Sequence, residues 1–231
     1  HTRCAIKSRG LGDVYKRQVI LLVMDTSSRA AFFELSGGAL CLDFVNTLGD
    51  RPRSESERLA TYGDLLRFSR QTDSVPADDL QELERLVRDC STCADAVFRR
   101  VLEAREAIYR ILSSEAAGDS PPEGDLEILN TALKKAMRQS ELRHSGGEFS
   151  WHWGGPGQAL DRPLWPIVRS AAELLTSEER ILLRECAAET CSWLFLDRSR
   201  RRRWCDMSTC GNRAKARRHY QRKKARASST R

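Results

Sequence analysis

Apolar side chains recur every three or four residues through much of the chain before residue 176, and this spacing is typical of amphipathic helices. After the Gly37-Gly38 turn, for example, Leu40, Phe44 and Leu48 fall on one side of a short helical segment. The same periodicity predicts helices over residues 39–48, 62–69, 78–87, 94–117, 126–138 and 164–175. The pattern therefore predicts a predominantly helical body.

One segment of this body follows the two-residue period of a strand instead. Residues 142–152 alternate around Ser145-Gly146-Gly147, which is typical of a β-hairpin. Trp151 and Trp153 lie two positions apart, so they point to the same face of the second strand. The predicted fold class is therefore α+β, with a small antiparallel hairpin in a mostly helical body.

The charge of the chain is distributed very unevenly. The chain has 231 residues, enough for one or two domains, and 40% of them are hydrophobic, which suffices for a core. The segment 198–231 contains fourteen Lys or Arg and one acid, so it carries +13 while residues 1–197 sum to −6. A basic run is more often a solvated tail than a specific reader of nucleic acid. Such asymmetry nevertheless favours a surface that binds phosphates, because neutralising each phosphate releases counterions.

Four cysteines between residues 186 and 210 have the spacing of a metal site. Cys186 and Cys191 form one C-x4-C pair, Cys205 and Cys210 form a second, and thirteen residues separate the pairs. Four thiolates close a tetrahedral shell around zinc and leave no open position for water, so the predicted zinc is structural rather than catalytic. The alternatives are buried apolar cysteines or two disulfides.

No secretory signal places these cysteines in an oxidising compartment. Residues 19–24 are apolar but too short for a signal-peptide core, and no longer apolar run would form a transmembrane helix. We therefore expect a cytoplasmic protein that binds zinc and does not contact a membrane.

Between the cysteine pairs, the sequence predicts a small hairpin. Residues 193–196 form a short apolar strand, residues 197–203 a polar turn, and Trp204 begins the predicted return strand. Trp193, Phe195 and Trp204 are expected to pack beside the metal. Gly211 follows the last cysteine and is expected to allow a sharp turn that brings an amide towards sulfur.

The residues after Gly211 predict a basic helix held at its start by the zinc. Positions 213, 217, 220 and 224 share one side at helical spacing. A rigid helix of this kind fits the major groove of duplex DNA. The candidate nucleic-acid-binding residues are Arg213, Lys215, Arg217, Arg218, Tyr220, Arg222 and Lys224.

The segment Cys210-Gly211-Asn212-Arg213, within residues 203–215, resembles the signature of the CGNR zinc-finger family, and residues 186–197 resemble the first half of the same finger. Residues 33–48 are similar to the opening of ABATE domains, which precede this finger in bacterial proteins regarded as transcription regulators. The resemblance covers roughly residues 32–225. It implies a treble-clef-like finger, a hairpin plus a helix, with zinc held by Cys186, Cys191, Cys205 and Cys210. The chain departs from the family in a short turn between Asp197 and Trp204 and in Ser192, where glycine is common.

These observations predict a DNA-binding transcription regulator with a structural zinc and with an N-terminal domain that senses a small molecule. An RNA-binding or ribosome-associated zinc protein is the alternative. No motif of an enzyme is visible, and the oligomeric state is left open. The predicted parts are a non-native or disordered extension over 1–23, an ABATE-like body over 30–177, the finger over 180–226 and a disordered tail over 227–231.

Two further features of the body bear on its function. Asp43 and Asn46 fall off the apolar side of their helix, where they either line a ligand pocket or, as the commoner case, form a polar face or a cap. Cys90 and Cys93 form a C-x2-C pair, which in isolation suggests a redox couple or half a metal site. With no second pair nearby and no thioredoxin-like strand before it, we discount both roles and predict a helix end or junction there.

Overall fold

The computed structural model describes residues 33–51, 56–154 and 159–228, with side chains described up to residue 223. The predicted extension over 1–23, including Cys4, lies outside the described residues. The described residues form one compact unit. The helices are α1 (Leu40–Val45), α2 (Tyr62–Gln71), α3 (Ala77–Asp89), α4 (Ser91–Ala117), α5 (Glu123–Met137), α6 (Leu164–Thr176) and α7 (Asn212–Ser228), and a 3-10 turn spans Glu178–Leu182. The strands are β1 (Leu48–Gly49), β2 (Ser56–Glu57), β3 (Ser140–Ser145), β4 (Glu148–Trp153), β5 (Leu183–Glu185) and β6 (Leu194–Leu196).

Local chemistry sets the ends of several helices. Thr61 and Asp64 form a capping box at the start of α2, where each side chain accepts a backbone N–H of the other residue. The long helix α4 ends at Gly118, whose φ of 81° is the left-handed conformation of a glycine C-cap. Helix α1 ends at Val45, three residues before the predicted end, because Leu48 pairs with Glu57 in the β1–β2 ladder. The other predicted helices of the body are confirmed with shifted bounds.

The core of the body lies between α1, α2, α4 and α6. Phe44, Phe68, Ile108 and Val168 are fully buried, and Trp165 is 2% exposed. Each such side chain stabilises the fold by roughly 1.5–3 kcal/mol relative to an exposed position. Within the described residues, no helix is both long and apolar enough to cross a membrane.

The predicted hairpin of the body is confirmed as β3–β4, an antiparallel pair in which Leu142 lies opposite Trp151. Gly146 and Gly147 have φ values of 61° and 86° and form its tight turn. The junction predicted at Cys90 is also confirmed, since α3 ends and α4 begins there. A disulfide joins Cys90 to Cys93 at this junction, a bond that the sequence did not predict.

The hairpin predicted between the cysteine pairs was assigned the wrong partner strand. Strand β6 pairs with the upstream β5, with Leu183 opposite Leu196, and not with a return strand at Trp204. Leu183 is fully buried and gives β6 an apolar partner in the core, whereas Trp204 is only partly buried. Leu183, Leu194 and Leu196 belong to the main core, which confirms that this region packs directly on the body.

Candidate metal centre and nucleic-acid interface

The four predicted cysteine ligands come together in the folded chain. The Sγ atoms of Cys186, Cys191, Cys205 and Cys210 all lie within 4.8 Å of one another. Two of the separations, 3.8 Å from Cys191 to Cys205 and 3.7 Å from Cys205 to Cys210, equal the edge of about 3.8 Å in a tetrahedron with Zn–S bonds of about 2.3 Å. The residues present therefore fit a structural zinc ion.

Hydrogen bonds between the thiols shift the pKa values of three cysteines in the cluster. The pKa of Cys186 is lowered because the thiols of Cys191 and Cys205 hydrogen-bond to its sulfur, and the pKa values of those two thiols are raised for the same reason. The Cys205 amide also donates to the Cys186 sulfur at 3.5 Å. Zinc binding displaces the protons of these thiols, so all four cysteines would coordinate the metal as thiolates.

Aromatic side chains pack around the cysteines, as predicted. Trp193 and Phe195 are buried beside the four ligands, and Trp204 is partly buried against them. Arg202 lies over the Phe195 ring, 4.5 Å from its centroid, and donates to the carbonyl oxygen of Cys205. This arginine therefore holds the loop before the second cysteine pair in place.

A short turn connects the second cysteine pair to α7. Asp206 caps this turn, and its carboxylate accepts the Thr209 N–H at 2.9 Å. The Gly211 amide donates to the Asp206 carbonyl at 3.0 Å, so the amide of this glycine itself bonds to an oxygen and not to a cysteine sulfur. A Cβ at position 211 would lie 2.8 Å from the sulfur of Met207, a flexible side chain that is 47% exposed and can move aside.

Helix α7 leaves the metal centre with almost all of its described side chains exposed. Arg213, Lys215, Arg217, Arg218, Tyr220 and Arg222, all predicted to bind nucleic acid, are exposed, and Tyr220 is 69% exposed. The helix extends into the predicted tail as far as Ser228, and the side chain of Lys224 lies outside the described residues. The zinc therefore anchors a basic helix that the body leaves open to a partner.

A groove of about 240 Å³ separates α7 from the loop after the first cysteine. Arg213, Arg217 and Arg218 line the helix side of this groove, and Glu189 lines the loop side. Glu189 forms an ion pair with Arg217 between two exposed side chains. Arg203 also lines this groove, and the sequence did not predict this role for it.

The arginines of the loop before Cys205 were interpreted from sequence only as part of a polar turn. Arg200, Arg201 and Arg203 are exposed, and Arg200 has a φ of 54° at the tip. The run of arginines in the sequence was the signal from which a basic loop could have been predicted. The exposed arginines of this loop extend the basic surface beyond α7.

The two residues predicted as possible ligand contacts have structural partners. Asn46 is 2% exposed, and its side chain donates to the Leu194 carbonyl at 2.8 Å and accepts the Leu194 N–H at 2.9 Å. The carboxylate of Asp43 accepts the Gly37 N–H at 2.8 Å. Neither residue lines the groove beside α7. Asn46 ties β6 to the body, and ligand binding by either residue remains a prediction.

A buried ion network lies beneath the finger. Arg105 is 2% exposed and donates to both carboxylate oxygens of Glu57, at 2.7 and 2.6 Å, and to Glu106 at 2.8 Å. Arg51 joins the network through Glu106 at 3.0 Å and stacks 3.6 Å from the centroid of Tyr109. The Arg51 amide donates to the hydroxyl of Ser192, the residue that departs from the family pattern. This network connects α4 to the loop that carries the first cysteine pair.

Asp43 gives the body a testable pH dependence. Burial raises the pKa of Asp43 to about 6, and the Gly37 N–H only partly opposes this effect. A carboxyl whose folded pKa is raised stabilises the fold when protonated, and that stability is lost as pH rises through the folded pKa. Asp43→Asn should therefore be more stable than the parent at pH 8, by roughly 1 kcal/mol after allowing for partial exposure, with the difference shrinking towards pH 5.

Urea unfolding of the zinc-loaded parent and variant at several pH values tests this prediction. Subtracting the free energy of unfolding of the parent from that of the variant at each pH removes the contribution of the zinc site, which both proteins share. A stability difference that stays constant from pH 5 to pH 8 would contradict the assignment.

Comparison with family models gives two matches along the chain. Residues 38–178 match ABATE, described as "Putative stress-induced transcription regulator". Residues 182–223, which contain all four zinc ligands, match the CGNR zinc finger. A comparison with curated proteins gives no match. The chain therefore belongs to the ABATE family and carries a CGNR zinc finger after its ABATE domain.

Proposed function

We propose that this zinc-binding protein is a transcription regulator that binds duplex DNA through α7 and the arginine loop before it. The observation that supports this proposal is the exposed basic helix fixed to a four-cysteine site. A metal-held helix start limits the entropy lost on binding, because the helix is ordered before it meets a partner. The charge of the segment, +13 from residue 198 onwards, supplies the attraction to phosphates.

The shape of this surface favours duplex DNA over single-stranded RNA. A helix fits the major groove of B-form DNA, whereas single-stranded RNA is commonly read by aromatic side chains on an open sheet. Tyr220 is the exposed aromatic side chain on the described part of α7. We assign Arg213 and Arg217, which lie one turn apart on α7, to the DNA major groove. Flanking phosphates are assigned to Arg200, Arg201, Arg203 and Arg218.

The body offers a site for the small-molecule effector that such a regulator would sense. A cavity of about 400 Å³ lies between α4, α5 and the start of α6, within the size range of small-molecule sites. Val97, Val101 and Ile128 contribute apolar lining, and an ion pair between Lys135 and Asp161, at 2.6 Å, lies at its edge. We assign effector binding to this cavity and structural roles to Asp43 and Asn46.

Helix α4 links this cavity to the finger. Val97 and Val101 face the cavity, Arg105 and Glu106 belong to the ion network, and the hydroxyl of Ser113 donates to Glu185 of β5 at 2.8 Å. An effector that shifts α4 would therefore change the support beneath the finger. This arrangement provides a physical route for regulation of DNA binding.

A pair of substitutions with opposite expected effects tests the DNA interface. Arg218→Ala removes one phosphate partner, so affinity for duplex DNA should fall about tenfold and the slope of log K against log salt should decrease by about 1. Glu189→Gln removes the acid that pairs with Arg217, so affinity should rise roughly two- to fivefold. Fluorescence anisotropy across a salt series measures both effects.

Arg99→Ala is the matched control, because Arg99 is an exposed arginine of α4 away from the finger. It should leave affinity and salt slope unchanged. If Arg99→Ala weakens binding as much as Arg218→Ala, the interface is misplaced. Preferential binding to structured RNA in the same assay would favour the alternative role as an RNA-binding zinc protein.

A further inference from the structure

The body carries a disulfide at its surface, at the junction of α3 and α4. Cys90 and Cys93 form this bond, and Cys93 is exposed while Cys90 is partly buried, so solvent reaches it. Among the residues that the structure describes, the clustered metal-ligating side chains are those of the zinc site, so this pair is not half of a second metal site. The chemistry open to a solvent-accessible pair of cysteines is thiol–disulfide exchange.

The disulfide contributes little to holding the junction together. The two cysteines are three positions apart, so the bond closes a short loop and removes little conformational entropy from the unfolded chain. Helix packing already fixes the junction, because Leu83 of α3 and Ala94 and Phe98 of α4 are buried in the main core. The Cys90 N–H also donates to the Leu86 carbonyl at 2.9 Å. The bond can therefore open without loss of the fold.

The sulfur of Cys90 lies where a negative charge is stabilised. Cys90 is the N-cap of α4, a helix of 27 residues, and its sulfur accepts the Cys93 N–H at 3.3 Å. The hydroxyl of Thr92 lies 3.5 Å from the same sulfur. The N–H groups at the start of a helix favour an anion there. Cys90 is therefore suited to leave as a thiolate when the disulfide is attacked.

We propose that Cys90 and Cys93 form a redox-active pair that exchanges with low-molecular-weight thiols and disulfides of the glutathione class. In the reducing direction, the thiolate of a small thiol attacks the sulfur of Cys93, the exposed member. A mixed disulfide forms, and the bond to Cys90 breaks with its electron pair leaving on the Cys90 sulfur. A second small thiolate then attacks the small-molecule sulfur of the mixed disulfide and releases Cys93 as a thiolate.

The exchange balances in electrons and protons. Two small thiols lose two electrons and two protons and become one disulfide, and Cys90 and Cys93 take up both and become two thiols. Oxidation by a small disulfide follows the same steps in reverse. The Cys93 thiolate forms the mixed disulfide, and the Cys90 thiolate then displaces the small thiol and closes the bond.

The other described cysteines are kept out of this exchange. Cys41 is fully buried, and burial raises the pKa of its thiol to about 12. The four cysteines of the metal centre would be occupied by zinc. Among the described cysteines, exchange with small thiols therefore falls on Cys90 and Cys93.

The pair lies at the end of α4 that leads into the cavity assigned above to an effector. Val97, four residues after Cys93, lines that cavity. The disulfide ties the N-cap to the first turn of α4, so reduction would release this turn from a covalent link. The redox state of the pair would then act on the same helix as the effector. This consequence rests on the proposed function, whereas the exchange chemistry does not.

The first test is a redox titration of the full zinc-loaded chain in glutathione buffers that run from the reduced form alone to the disulfide form alone. Free thiols are trapped by alkylation and located by mass spectrometry after trypsin digestion, which places Cys90 and Cys93 in one peptide, residues 89–99, without another cysteine. Both should be alkylated at the reducing end and neither at the oxidising end, with full reversal. Cys41 is the internal control, because its alkylation should not change across the series.

The second test traps the mixed disulfide. Cys90→Ser keeps a preferred N-cap residue and leaves Cys93 without a partner thiol. In glutathione disulfide, most molecules of this variant should therefore carry glutathione on Cys93, whereas almost none of the parent should, because Cys90 displaces it. Thermal unfolding of the variant checks that the fold is kept.

A Cys90–Cys93 bond that stays closed in reduced glutathione, or that does not form again in glutathione disulfide, would overturn the proposal. Equal amounts of the glutathione adduct in the parent and in Cys90→Ser would overturn it as well, because Cys90 would then not close the bond. None of these results depends on DNA binding by α7 or on an effector, which are measured separately.

Discussion

Cys205→Ser should remove the zinc, disorder the segment around α7 and reduce affinity for duplex DNA by at least 100-fold. Cys205 lies within 3.8 Å of two other ligand sulfurs, so its loss opens the tetrahedral shell. Structural zinc contributes on the order of 10 kcal/mol to the folding of small fingers, far more than the few buried side chains of this one. The basic helix would then lose the support that fixes its start.

The damage should remain confined to the finger. Leu183, Leu194 and Leu196 belong to the main core, so β5 and β6 should persist and the body should unfold in urea as before. Cys41→Ala is the control, because Cys41 is a fully buried cysteine that is not among the ligands. Metal content, circular dichroism and anisotropy report the three effects. Retention of one zinc per chain and full affinity in Cys205→Ser would contradict the assigned ligand set.

Arg105→Met should destabilise the zinc-loaded protein by about 3 kcal/mol in urea unfolding. The side chain of Arg105 is 3% exposed and that of Glu57 is 31% exposed, with 2.6 Å between the charged groups. Removing one partner of a buried ion pair leaves the other charge uncompensated, which costs about 3–5 kcal/mol, and the partial exposure of Glu57 places the effect at the lower end.

The chain offers a matched control for this pair. Arg70 and Glu84 are also 2.6 Å apart, but their side chains are 54% and 38% exposed. Arg70→Met should therefore cost less than about 1 kcal/mol. The double substitution of Arg105→Met with Glu57→Leu should recover much of the lost stability, because it removes both buried charges. Equal costs for Arg105→Met and Arg70→Met would show that burial does not set the strength of the network.

The periodicity of apolar residues predicted the helices of the body because each packs one apolar side on a common core. The same reasoning assigned β6 the wrong partner, since short strands carry little periodic signal and the choice depended on the buried Leu183 upstream. Cysteine spacing predicted the metal ligands directly, because two closely spaced pairs of thiolates can form the tetrahedral shell that structural zinc requires.

Other parts of the site depend on contacts that no local pattern contains. Asn46 binds the backbone of Leu194, which lies 148 residues away in the sequence. Because no local pattern contains this contact, the position of Asn46 off the apolar side of the predicted helix suggested a pocket or a polar face instead. The contribution of Arg203 to the groove beside α7 likewise follows from how the zinc folds the loop back on the helix. The basic surface is therefore larger than the helix that the sequence indicated.

The role of the metal-held helix is tested most directly by the affinity of the zinc-loaded chain for duplex DNA and for structured RNA, measured by anisotropy with and without removal of zinc by a chelator. We expect tighter binding to duplex DNA, which is lost when zinc is removed and restored when it is added back. Binding to duplex DNA that survives complete removal of zinc would contradict a metal-held helix as the DNA-binding element.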